Sequence, residues 1–241
     1  LGATLDPRIL GYVLDQQLPF LMEVADRTPA DRKGGHLALQ GEQLILRESA
    51  QCPPGDVEAF QDVTRHRYFN TNNLWIDLVA LERLLDDHGG ALALPLIRNA
   101  KTVDPRDADS TPVYQLESAM GAAIALFDGA AALRVPRTRF SPVKTTADLL
   151  RVRSDATSLT DDGRVLPATE RPPLISLDSA FYKKIANLDA RFPAGAPSLV
   201  DCRSLTVEGD WTFGAGVVVR GDVTLTTDAP QRVPDGAVLE G

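Results

Sequence analysis

Cysteine is nearly missing from this sequence. Cys52 and Cys202 are the two present, far apart and without CxxC spacing. That excludes a disulfide framework and a structural zinc site, and makes a reducing cytoplasm the expected setting. The three histidines, His36, His66 and His88, show no ligand spacing, so no metal site is expected from them. No apolar run approaches the roughly 18 residues of a membrane span. Positive charge is in deficit: a net charge of -8 and a pI near 4.9 argue against nucleic acid or an anionic membrane as partner. A small phosphorylated ligand stays open, because it requires only a few local cations. Also missing are a GxSxG elbow, a Walker loop and a complete GxGxxG; "KGG", Lys33 to Gly35, is too short to count. An enzyme of this composition is expected to hold and polarise phosphates rather than shuttle protons. There is no initiator methionine: the chain opens at Leu1 with "LGATLDPRIL", inside an element, and reads as a piece of a longer protein.

What is present suffices for a core. The 241 residues are 44% hydrophobic, enough for one large domain or a domain plus a small satellite. Asp6 before Pro7 predicts a helix from Asp6 to about Leu14, and a strand is expected around Phe20 to Val24. "HLALQGEQLILRES" alternates on either side of Gly41, as a β-hairpin does, and the same period puts Glu48 on the Leu44/Leu46 face. "YFNTNNLWIDL" sets three asparagines against an apolar run and reads as a loop entering a buried helix or strand. "DLVALERLLDDHGG" predicts an amphipathic helix stopped by Gly89 and Gly90, and "ALALPLIRNAKTVDP" a strand interrupted by Pro95. Val113, Leu116, Met120, Ala123 and Phe127 fall at helical spacing, with small residues Gly121 to Ala123 suited to close packing on a sheet. Strands alternating with helices indicate an α/β fold. From Asp155 a Ser-, Thr-, Asp- and Pro-rich stretch reads as a connecting loop, then a short helix around Ala180 to Leu188.

The last segment has a period of six. Leu205, Trp211, Val217 and Val223 form one column; Val207, Phe213, Val219 and Leu225 form a second. Gly209, Ala215 and Gly221 form a column of small residues, and Asp210, Gly216, Asp222 and Asp228 a fourth. This is the pattern of a β-helix, here too short to stand without support from the rest of the chain or another subunit. Chemistry is sparser. "RFSPVKTTADLL" places Lys144 before a Thr145–Thr146–Asp148 helix start, where backbone N–H groups and a lysine together attract anions; from the stretch alone a plain surface lysine before a capped helix is the preferred reading. Glu48 at the end of an apolar face also serves as an ordinary strand exit into water.

In order along the chain, "LGATLD", "KGG", "AQ" (Ala50-Gln51), "FNTNNLW", "QLESAMGAA", "VPRTRFSPVKTTADLL" and the final hexads resemble the eukaryotic-type UDP-glucose pyrophosphorylases over nearly the whole length. The resemblance implies a nucleotidyltransferase that joins UTP and glucose 1-phosphate into UDP-glucose and pyrophosphate, reversibly and with Mg²⁺. It implies a Rossmann-like (GT-A-like) mixed sheet followed by a short left-handed β-helix, through which homo-oligomers form. By position, Lys144 matches the phosphate-contacting lysine and Asn72 the residue holding the glucosyl group. Glu48 and Gly35 match sugar-hydroxyl contacts, and Asn70 supports the loop. Residues 1–154 then correspond to the sugar-binding half of the catalytic domain, 155–198 to a connection and 199–241 to the β-helix. The family's Gly-rich nucleotide loop, uracil contacts and metal-linked aspartate precede the position of Leu1, so little turnover is expected from these residues alone. Alternatives are a pyrophosphorylase for another UDP-sugar, such as N-acetylglucosamine, and a non-catalytic assembly module.

Overall fold

The computed structural model describes residues 3–28, 31–32 and 34–241. Two units emerge, one spanning Leu5–Phe140 and the other built mainly from Ser141–Gly241. Lys33, at the head of "KGG", and Leu1 and Gly2, at the head of "LGATLD", lie outside the described residues.

In the first unit, α1 (Pro7–Asp15) begins as its cap residues require, the Asp6 side chain accepting the backbone N–H of Arg8. The chain continues through β1 (Phe20–Asp26), β2 (His36–Gln40), β3 (Gln43–Arg47), α2 (Val57–Gln61), β4 (Tyr68–Ile76) and α3 (Leu78–Asp87). It then forms β5 (Leu96–Thr102), β6 (Pro112–Ser118), a 3₁₀ segment at Met120–Leu126 and β7 (Ala131–Arg134). Five strands make a mixed sheet in the order β3-β2-β4-β1-β7, with β7 parallel to β1 and the other pairs antiparallel. Central strand β1 alternates its side chains between the faces. Phe20, Met22 and Val24 pack with Leu37, Leu46, Ala123, Ile124 and Phe127. Leu21, on the other face, packs with Ile9 and Val13 of α1 and with Val135. The expected hairpin is β2–β3, turning at Gly41 with φ 63°.

Three local expectations are corrected. "YFNTNNLWI" is not a loop but strand β4, because β1 and β2 take up its backbone groups from either side. Leu78 and Val79 beyond it are exposed on α3 rather than buried. The predicted helix over 113–127 is instead β6 followed by the 3₁₀ segment: β6 pairs along its whole length with β5, from Thr102–Pro112 to Leu96–Ser118. The helical stripe was never one buried face, since Val113, Leu116 and Met120 are exposed while Ala123 and Phe127 are buried. The small-residue run does pack on the sheet as expected. A Cβ added to Gly121 would lie 2.8 Å from Asn70 Nδ2 and 2.9 Å from Leu46 Cδ2, so any larger residue must displace those side chains.

The second unit contains α4 (Thr146–Arg153), β8 (Thr157–Leu159), β9 (Val165–Pro167), β10 (Leu174–Leu177), α5 (Ser179–Tyr182), α6 (Ile185–Arg191), β11 (Cys202–Glu208), β12 (Trp211–Phe213), β13 (Val218–Thr226), β14 (Gln231–Val233) and β15 (Val238–Glu240). The stretch read as a loop holds the β8–β9 hairpin, and the short helix is two helices. Strands β10, β11, β13 and β15 pair in parallel, as do β12 and β14. Leu205 stands opposite Val223 and Val207 opposite Leu225, so residues three hexads apart in the sequence are paired. Leu205, Val207, Phe213, Val217 and Val219 are all at most 1% exposed. Each fully buried large apolar side chain contributes about 2 kcal/mol. The same core takes in Leu150 of α4, Tyr182 of α5 and Leu188 of α6.

Candidate functional site

The asparagines of β4 sit on a bulge. Between the paired positions Met22–Leu74 and Val24–Asn70, β1 contributes Glu23 alone while β4 contributes Thr71, Asn72 and Asn73. Asn72 takes up the slack with φ 65°, the left-handed region that asparagine tolerates better than other side chains. Asn70 braces it twice: its Oδ1 accepts the Asn72 backbone N–H at 2.8 Å, and its Nδ2 donates to Asn72 Oδ1 at 3.1 Å. Asn72 is exposed, and its Nδ2 group has no partner among the described residues.

Strand register brings distant candidates to this bulge. His36 pairs with Arg47 on one side and Phe69 on the other. Gly35 and Glu48 are the residues just outside β2 and β3 at this end, and Asn70 follows Phe69 on β4. The first two touch: a Cβ added to Gly35 would lie 2.5 Å from Glu48 Oε1. Glycine at 35 is therefore what leaves room for the half-buried Glu48 carboxylate. A carboxylate, bare backbone and two mutually bonded amides offer acceptors and donors together, the set that neighbouring hydroxyls bind.

Behind the bulge lies a buried acid. Glu23 is 1% exposed in the middle of β1. Its carboxylate accepts Arg139 Nε and a second guanidinium nitrogen, both at 2.8 Å, and the Trp75 indole N–H at 2.9 Å. Asn73 Nδ2 donates to it at 3.4 Å, and the Thr71 hydroxyl donates to the Glu23 carbonyl at 2.8 Å. The Glu23 bond raises the Arg139 pKa above its ordinary value.

The family model for UTP–glucose-1-phosphate uridylyltransferase matches residues 1–220. The chain belongs to that family. A UTP–glucose-1-phosphate uridylyltransferase of Hordeum vulgare is 45% identical across 100% of the chain, which covers 50% of that protein. One from Saccharomyces cerevisiae is 41% identical, with 48% of it covered. Among solved structures, a UDP-glucose phosphorylase from Trypanosoma brucei superposes with a TM-score of 0.90 at 51% identity, over 99% of this chain and 53% of that one. A UDP-glucose pyrophosphorylase mutant from Leishmania major, in complex with UDP-glucose, gives 0.89 at 50% identity, over 100% of this chain and 54% of that one. The chain spans about half the length of the curated relatives it matches.

In this uridylyltransferase-family chain, Lys144 belongs to the second unit, whereas Gly35, Glu48, Asn70 and Asn72 belong to the first. Lys144 is exposed just ahead of α4. The helix start itself is occupied: Asp148 Oδ2 accepts the backbone N–H of Lys144 at 3.0 Å and of Thr145 at 2.9 Å, closing a capping box with the Thr145 hydroxyl. An anion met by Lys144 would be met by its ammonium group. Among the described residues, no cluster of His, Cys, Asp or Glu is arranged to hold a metal ion, and no helix is long and apolar enough to cross a membrane. Sequence reasoning missed Glu23 and Arg139. One cue for Glu23 was legible, an acid inside the otherwise apolar "FLMEVA"; nothing in the sequence pairs it with an arginine so far downstream.

Proposed function

We propose that this chain is the sugar-binding half of an enzyme that forms UDP-glucose and pyrophosphate from UTP and glucose 1-phosphate, reversibly. The observation that supports the reading is the close approach of Gly35 to Glu48 together with the Asn72 bulge braced by Asn70, on the neighbouring strands of the β3-β2-β4 order. In this reading Asn72 and Glu48 hold the glucosyl hydroxyls, Gly35 lets the sugar lie against backbone, and Asn70 keeps Asn72 in place. An amide suits the task because it binds hydroxyls without adding negative charge beside a phosphate. Lys144 neutralises phosphate charge as the sugar phosphate oxygen attacks the α-phosphorus of UTP in line. Catalysis then rests on positioning and charge rather than on an acid–base pair. Mg²⁺ belongs to the reaction in this reading, but the described residues do not form a site that fits it, and no step is assigned to it here.

The finer architecture follows the same reading: residues 1–154 as part of a GT-A-like catalytic domain, 155–198 as the connection, and 199–241 as a short left-handed β-helix. Support for the last is the parallel stacking of β11, β13 and β15 and of β12 and β14. Val238 on β15 is half exposed, and a second copy is the partner this reading seats on it. A cytoplasmic setting is in keeping with two unpaired cysteines. The test is pyrophosphorolysis by the intact protein, with UTP release followed from UDP-glucose and, in parallel, from UDP-N-acetylglucosamine. Turnover confined to UDP-glucose is expected. Equal or faster turnover of the N-acetylated sugar would overturn the substrate, and none on either would overturn the reaction.

A further inference from the structure

We infer that Glu23 is a positioning residue for the amide bulge, holding Asn72 in the conformation in which it meets the sugar; what Asn72 meets rests on the function proposed above. Glu23 stands alone on β1 opposite the three bulged residues of β4. Its carboxylate accepts Asn73 Nδ2 at 3.4 Å on one side of Asn72, while the Thr71 hydroxyl on the other donates to the residue-23 main-chain carbonyl at 2.8 Å, a bond that any residue there would supply. The carboxylate also binds Trp75, two residues beyond Asn73, at 2.9 Å. Asn72 itself makes no bond to Glu23; Asn70 braces it directly, and the Glu23 carboxylate fixes the residue that follows it, so a left-handed backbone is held from both sides.

The carboxylate is 1% exposed and the Arg139 side chain 12% exposed, so the pair is held away from water. A buried ion pair contributes little net stability compared with apolar residues of the same volume. In a strand otherwise packed with Phe20, Leu21, Met22 and Val24, its presence is accounted for by the geometry it imposes on β4. Arg139 closes the arrangement: it locks both carboxylate oxygens, so Trp75 and Asn73 meet a fixed acceptor. It is supplied by "VPRTRFSPVKTT", the motif that also carries Lys144, so one buried acid joins the sugar motif to the segment leading into the phosphate motif.

Glu23→Gln keeps the volume, removes the charge and leaves one acceptor oxygen in place of two. Two readouts decide the matter. In the 241-residue chain, hydrogen exchange at the backbone amides of Thr71–Asn73 is expected to quicken by about tenfold or more once the bulge loosens. In the intact protein, KM for UDP-glucose is expected to rise by about tenfold or more while KM for pyrophosphate stays within about twofold. A purely structural role would lower the melting temperature and leave both KM values alone. Unchanged exchange at Thr71–Asn73, or two KM values moving together, would overturn the inference. Trp75→Phe removes one donor and keeps a ring; it is expected to act in the same direction more weakly, and it decides the question if Glu23→Gln does not fold. Should the wild-type protein fail to turn over UDP-glucose, the functional reading falls, and exchange alone judges the positioning role.

Discussion

At Asn72 the roles of backbone and side chain can be separated by substitution. Its φ of 65° suits glycine better than any residue with a Cβ. Asn72→Gly should therefore keep the melting temperature, while the lost amide weakens sugar binding by about 1–3 kcal/mol in the intact protein. Asn72→Ala should show the same loss plus about 1 kcal/mol of backbone strain. Equal kcat/KM for wild type and Asn72→Gly would remove the side chain from the site. At Gly35 the argument is steric. A methyl group 2.5 Å from Glu48 Oε1 must push the carboxylate aside, so Gly35→Ala should raise the sugar-substrate KM much as Glu48→Ala does. The double variant should then be no worse than either single one; additive losses would show that the two residues act apart. Lys144→Ala should lower kcat of the intact protein by about 10²–10³, the usual loss of a preorganised charge-stabilising group. A wild-type rate would end its phosphate role.

Strand β2 is anchored at its start by a buried histidine. His36 is fully buried, stacked 4.0 Å from the His66 ring and 4.5 Å from Phe60, with the Arg27 guanidinium 3.4 Å from its Nδ1. Burial first, then the neighbouring His66, Arg27 and Arg47, lowers its pKa from 6.5 to about 3. His66 is shifted the same way. The folded protein thus refuses a proton that the unfolded chain accepts near 6.5. This contribution to stability is complete above that pH and drains away as the pH falls toward about 3. Urea midpoints measured across that window should fall more steeply in the wild type than in His36→Phe; parallel slopes would clear His36. At this scale the sequence misled where partners decide the outcome. β6 had helical spacing but found β5 as a ladder along its whole length, and β4 had turn residues but found a strand on either side. Propensity yields when backbone groups are satisfied by a neighbour that local sequence cannot name.

Across the second unit, helices and stacked strands are one core rather than adjoining modules. Leu150, Tyr182 and Leu188 pack in the same cluster as Leu205, Phe213 and Val219. Deleting residues 199–241 should therefore unfold this unit rather than release a separate appendage, and thermal unfolding should lose that transition. A retained cooperative transition would mean that the helical part stands alone. The truncation is consequently a poor assay of assembly. Val238→Asp, at the half-exposed last strand, keeps the core and is the better variant for light scattering.

The sequence by itself determined the α/β class, the hairpin at Gly41, the caps of α1 and α4, and the hexad columns, because each is written in spacings shorter than about ten residues. It also named Gly35, Glu48, Asn70 and Asn72 through resemblance. Only the tertiary structure decided that Gly35 lies against Glu48, that Asn72 is left-handed and braced by Asn70, and that Glu23 pairs with Arg139 beside them. The physical reason is register. Which residues face each other across strands depends on pairing between segments far apart in the chain, and the sequence spells out each strand but not its partner.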